Sequence, residues 1–170
     1  MSNLQDQIQR LYARFVRVAN SLQSVFLLLL RIYLGLWPAG IAINGWGKLH
    51  NLARVTQFFE SLGLPAPGAT AVFVSTFEFV GGILLALGLL SRVAALGLAI
   101  DMLTAYITAD RDSLFAIFSN PSKFYNADPA IYLFFALIVL IFGPGKISLD
   151  YFLEKKYARN ASFDDPHRNR

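Results

Sequence analysis

Cysteine is absent from this 170-residue chain, and histidine occurs only twice, at His50 and His167. Without cysteine there are no disulfides, thiolate metal sites, iron–sulfur clusters or thiol-based redox steps. Two histidines, one of them in a polar tail, exclude a buried bis-histidine haem. Charge is also scarce: 15% of residues are charged, where a soluble domain carries roughly a quarter. No phosphate-binding loop, hydrolase triad, metal-ligand spacing or nucleic-acid patch is present. What remains is apolar, with 55% hydrophobic residues, fifteen Phe, seven Tyr and a mean hydropathy of +0.48. This composition is that of an integral membrane protein with one domain.

A bilayer core takes about 20 apolar helical residues, and four segments approach that length. The expected fold is an all-α bundle of four transmembrane helices over about 21–45, 69–90, 92–109 and 128–147, which makes 21–147 the membrane domain. The last apolar run is short, so its span is expected to start at Asp128-Pro129 and to continue, bent, past Lys146. Lysine and arginine set the orientation. With both termini cytoplasmic, ten basic residues fall inside, among them Arg10, Arg14, Arg17, Arg92, Lys146 and Arg159, with Arg168 and Arg170 at the end. Lys48, Arg54, Arg111 and Lys123 fall outside, the bias the positive-inside rule requires.

Residues 1–20 form a separate unit, an amphipathic helix. Leu4, Ile8, Leu11, Phe15, Val18 and Leu22 recur at alternating four- and three-residue steps, with Arg10, Arg14 and Arg17 on other faces. Such a helix lies on the cytoplasmic leaflet or docks on a protein by the same stripe. Leu52, Val55, Phe58, Phe59 and Leu62 predict a short helix in the first outer loop, ended by Gly63 and Pro65. The second outer loop, 110–128, is too apolar for a free linker and should fold onto the bundle mouth or onto a partner. Residues 148–170 are a basic cytoplasmic tail.

Each of the first three spans carries one ionisable residue. Counted from the cytoplasmic end, Arg31 and Asp101 lie about 13 Å deep and Glu78 about 18 Å. Charges near the bilayer centre are costly and face the bundle interior, so Arg31 is expected to bridge Glu78 and Asp101 through its five donors. Gly35 on the first span, Ser75 and Gly82 on the second, and Thr104 and Thr108 on the third share faces with these charges, as do Pro38 or Ala39. Small and hydroxyl residues are what packed membrane helices place at contacts. The network either binds or protonates something or only fixes helix register. A second cluster, Asn44, Trp46, Lys48 and His50, reads as an interfacial anchor at the outer end of the first span.

Arg31-x3-Gly35, Gly45-x-Gly47-Lys48-Leu49, Phe58-x4-Gly63-Leu64-Pro65, Glu78-x2-Gly81-Gly82-x-Leu84 and Leu87-Gly88-Leu89-x2-Arg92 follow one another in order. This set, spread over Leu28 to Phe142, resembles the DoxX family of small four-helix bacterial membrane proteins. The resemblance implies a multi-pass protein of the bacterial cytoplasmic (inner) membrane, and puts Arg31, Lys48, Glu78 and Gly82 at family-pattern positions. The family takes its name from a subunit of a thiosulfate:quinone oxidoreductase, and other members are linked to membrane-bound redox assemblies. The chain is therefore expected to be a structural or co-catalytic subunit of a redox-linked membrane complex rather than a stand-alone enzyme. No metal and no intrinsic cofactor are expected; its partners would be the bilayer, other membrane subunits and a quinone or lipid, not nucleic acid. The rival expectations are a small oligomeric proton-coupled transporter or channel that uses the buried carboxylates, and a purely structural assembly subunit.

Overall fold

The computed structural model describes residues 2–36 and 40–163, with side chains over 5–36 and 40–157. These segments are helices joined by turns, bends and short irregular links, and among them there is no strand. In chain order the helices are α1 (Ser2–Leu36), α2 (Ile41–His50), α3 (Leu52–Ser61), α4 (Pro67–Leu87), α5 (Ser91–Thr108), α6 (Arg111–Phe115), α7 (Pro121–Tyr125), α8 (Pro129–Phe142) and α9 (Leu149–Phe163). Three stretches are long and apolar enough to cross a bilayer: α1 together with α2, α4 and α5; α8 is apolar but shorter. The positions given to Pro38 and Ala39, and to the side chains of Arg159, Arg168 and Arg170, lie outside the described residues.

Helix α4 is the hub, with α1, α2 and α3 packed along it on one side and α5 on the other; α8 lies against α5. Missing side chains explain the close approach. A Cβ on Gly82 would meet the backbone N of Ala42 at 2.5 Å, one on Gly45 would meet the N of Phe79 at 2.4 Å, and one on Gly35 would meet the carbonyl of Gly82 at 2.4 Å. Small residues thus let three helices touch backbone to backbone, the packing mode available where lipid removes any hydrophobic drive between helices. Gly82→Val should accordingly lower stability by about 3 kcal/mol, the upper end for overpacking. Gly47→Ala, with nothing within 4 Å of its new methyl, should be neutral; thermal unfolding in detergent compares the two.

Two expectations change. The amphipathic segment is not a separate helix: α1 runs unbroken from Ser2 to Leu36, because no proline or glycine interrupts it before Gly35. The fourth apolar segment does not continue helically past Lys146. It ends at Phe142, where Gly143 takes φ +76° and Pro144 follows. Residues 143–148 return the chain to the bundle without helix. The basic segment after them is helical from Leu149 through Phe163.

The outer-loop elements form as expected. α3 packs on α4, and the 110–128 segment folds onto the end of α5: the Tyr106 hydroxyl donates to the Phe124 carbonyl at 2.8 Å and their rings stack 5.1 Å apart.

Candidate functional site

The carboxyl of Glu78 sits in the middle of α4 and is 4% exposed. Its cation is not Arg31 but Lys48: the ammonium lies 2.5 Å from Oε1. Lys48 reaches inward because α2 packs along α4 with Gly45 against Ser75 and Phe79, and one turn further on its side chain arrives beside Glu78. Asp101 of α5 adjoins from the other side, close enough to interact with Glu78. One oxygen of each carboxyl, Glu78 Oε2 and Asp101 Oδ2, is buried without a protein partner.

Lys48 and Glu78 form one wall of a cavity of about 440 Å³ between α2, α4, α5 and α8. Asn44, Tyr132, Asp128 and Met102 complete it. The Asn44 amide donates to the Tyr132 hydroxyl at 3.2 Å and ties α2 to α8. Apart from the bond to Glu78, the Lys48 ammonium has no ion-pair or hydrogen-bond partner among the described residues. The arrangement is a partly enclosed, half-apolar pocket with a cationic donor beside two adjacent carboxyls. It can polarise an acceptor oxygen and exchange a proton with it.

Arg31 is fully buried, yet it stands apart. Its guanidinium donates to the carbonyls of Leu85 and Ala86 at 3.4 and 3.3 Å and to that of Ile147 at 2.5 Å, with Asp150 as its nearest counter-charge. The helix register gives the reason. Gly35 of α1 lies against Gly82 of the antiparallel α4. Arg31 is one turn from that contact toward the α4 C-terminus and Glu78 one turn in the opposite direction, about 12 Å apart along the axis. A depth count from Leu22 misses this, because the first buried side chain described in α1 is Leu27 and the first span sits correspondingly further along the helix.

The remaining assigned residues divide. Gly35, Ser75 and Gly82 lie at helix contacts, Ser75 with its hydroxyl bonded to the Ala71 carbonyl at 2.6 Å. Thr104 and Thr108 do not line the cavity: their hydroxyls bond back to the carbonyls of Ile100 and Thr104 in their own helix. Met102 and Ala105 face it instead. Trp46 and His50 stay outside, their rings 4.2 Å apart, with Trp46 also against Phe79 at 5.2 Å. The sequence reading missed Asp128 and Tyr132 as cavity residues. Their four-residue spacing at the start of an apolar helix was the available signal.

A family model described as DoxX matches residues 26–111. Over 139 residues the chain is 35% identical to "Inner membrane protein YqjF" of Escherichia coli (strain K12), covering 81% of this chain and 99% of that protein. It is 32% identical over 81 residues to "Putative oxidoreductase CatD" of Bacillus subtilis (strain 168), which covers 48% of this chain and 57% of the relative. It is also 36% identical over 109 residues to "Uncharacterized membrane protein Rv3486" of Mycobacterium tuberculosis, over 58% of this chain and 64% of that one. No solved structure matches the chain.

Proposed function

The chain belongs to the DoxX family and is a multi-pass inner-membrane protein; on that premise we propose that it is a subunit of a redox-linked membrane complex and that its Lys48–Glu78 cavity receives a quinone headgroup. The single observation that carries this reading is the Lys48 ammonium, held against Glu78 at the wall of a cavity of about 440 Å³ with donor capacity left over. That volume lies in the range of small-molecule pockets. The residues fit such a group: Lys48 would hold a carbonyl oxygen, and Glu78 with Asp101 would exchange the proton that accompanies electron transfer. The electrons come from a partner subunit. The name of the Bacillus subtilis relative points the same way.

In this reading α8 is the fourth span and both termini are cytoplasmic, which keeps ten basic residues inside against four outside. The cavity then opens near the outer face. Titration of the purified protein with a short-chain quinone should quench tryptophan fluorescence, Trp46 being two residues from Lys48 on α2. Glu78→Gln should weaken that quenching at least tenfold and abolish quinone-linked turnover in membranes. Unchanged binding and turnover would remove the reading.

A second reading rests on the two buried carboxyl oxygens that lack partners, which suit a proton relay in an oligomeric transporter. Proton flux into liposomes that contain the isolated protein alone would favour it. A purely structural subunit would instead lose complex abundance on Glu78→Ala while any assembled complex kept its turnover.

A further inference from the structure

Helix α1 has two faces with different histories along its length. Leu27, Leu30, Arg31 and Leu34 are buried against the bundle. Continued toward the N-terminus, that face turns mainly polar, with Gln9, Arg10, Arg17, Asn20 and Gln23 around Ala13 and Val16. It is predominantly apolar only where a bundle covers it.

The opposite face does not change. Ile8, Leu11, Phe15, Val18 and Leu22 continue into Val25, Leu29, Ile32 and Leu36 by strict alternation of four- and three-residue steps, and the pattern begins at Leu4 in the sequence. Every one of the nine from Ile8 onward is 40% to 69% exposed. Lipid accounts for an apolar face inside the bilayer, but not for the same stripe along the roughly 30 Å of helix that precede Leu22. Because α1 is continuous with the span, this arm projects along the direction of the span rather than turning into the membrane plane.

We propose that this stripe is the seam of a parallel coiled coil with α1 of a second copy of the chain. Three features favour that occupant. The spacing is 3.5 residues, kept over four heptads; a straight helix would drift off such a stripe by about 20° per heptad, and left-handed supercoiling against an equivalent helix corrects the drift. Charge is placed for self-association: in the arm, Arg10 and Arg17 fall on the outer face, Asp6 opposite the seam, and only Arg14 flanks it, so no like charges meet across the interface. Two copies inserted in one membrane share their orientation, which makes a parallel two-fold pairing the natural one. Nine large side chains, each 40% to 69% exposed, offer on the order of several hundred Å² per copy, against about 800 Å² in a standard specific interface.

The lack of cysteine makes the test clean, because each variant carries a single thiol. Leu11→Cys and Val18→Cys place it on the seam, Ala13→Cys and Arg17→Cys on the far side. Disulfides need Cα atoms within about 7 Å, which seam positions meet and outer positions, across two helix diameters, do not. Copper–phenanthroline oxidation of membranes should convert most of the Leu11 and Val18 variants to covalent dimers and less than a tenth of the other two. Equal yields at all four positions, or none, overturn the proposal. So does a stripe whose thiols resist aqueous maleimide but never cross-link, which is the result for an arm buried in lipid. As a second readout, Phe15→Asp should reduce co-purification of two differently tagged copies at least tenfold. Undiminished co-purification by that variant overturns the seam as the interface.

Discussion

Lys48→Met should destabilise the protein by about 3 kcal/mol, whereas Glu78→Gln should cost no more than about 1 kcal/mol and the double variant should return close to the parent. The asymmetry follows from burial. Removing one partner of a buried ion pair costs about 3–5 kcal/mol, because the other charge stays behind without compensation. Glu78 is 4% exposed and already adjoins Asp101, so Met at position 48 strands two carboxyls together. The reverse change leaves an ammonium whose side chain is 37% exposed and whose long stem lets it reach water. That partial exposure also sets the estimate at the lower end of the range. Thermal unfolding of the four proteins in one detergent gives the coupling energy directly. If Lys48→Met is as mild as Glu78→Gln, the pair carries little of the fold.

The same four proteins separate fold from function. The double variant keeps the volume of the site and loses its ion pair. Restored stability with no quinone quenching identifies the pair as the binding element. Restored stability with quenching intact leaves the pair a device for seating α2 on α4, and the cavity must then hold its ligand by other groups.

Much of this architecture is legible in the sequence because it depends on local quantities. Run length marks the apolar helices, and the coincidence of small residues with charges marks which faces pack: Gly35, Ser75 and Gly82 all lie at contacts. The partner of Arg31 is not legible, because it depends on how far α1 slides along α4, a relation set by Gly35 against Gly82 and by nothing within either helix alone. The pairing of Lys48 is not legible for a related reason. A lysine next to a tryptophan near the end of a span is the pattern of an interface anchor, and Trp46 and His50 do stay outside. Lys48, two positions from each, points the other way, and only the seating of α2 on α4 decides which residue turns in. Nor does the sequence locate Ile147 at Arg31, since that contact requires α8 to stop at Phe142 and the next six residues to fold back.

The fold-back gives Arg31 its role, and Arg31→Lys should therefore be nearly as damaging as Arg31→Leu. The guanidinium lies at the C-terminus of α4, where the i+4 donors of the helix run out and the helix dipole is negative. It bonds the carbonyls of Leu85 and Ala86 and also that of Ile147 in the returning chain. Asp150 does the converse across the same turn: its two carboxylate oxygens accept from the backbone N–H groups of Leu90 and Ser91, at 2.7 and 2.8 Å, at the positive start of α5. Each ion caps the helix end that suits its charge, and each attracts the other. Gly88 permits this, since it turns the chain at φ +69° and a Cβ there would collide with the guanidinium itself. A lysine ammonium is a compact point charge and cannot fork to three carbonyls on two segments, so charge alone does not replace the arginine. Both variants should lose about 3 kcal/mol or more, the cost of leaving buried acceptors and a counter-ion without a partner. Limited proteolysis reads the local consequence: cleavage within 143–150 should rise in Arg31→Lys and in Asp150→Ala alike, with the α2–α4 contacts still intact. A lysine variant as stable and as protected as the parent would show that charge, not the fork, holds the α4–α5 hairpin to the returning chain.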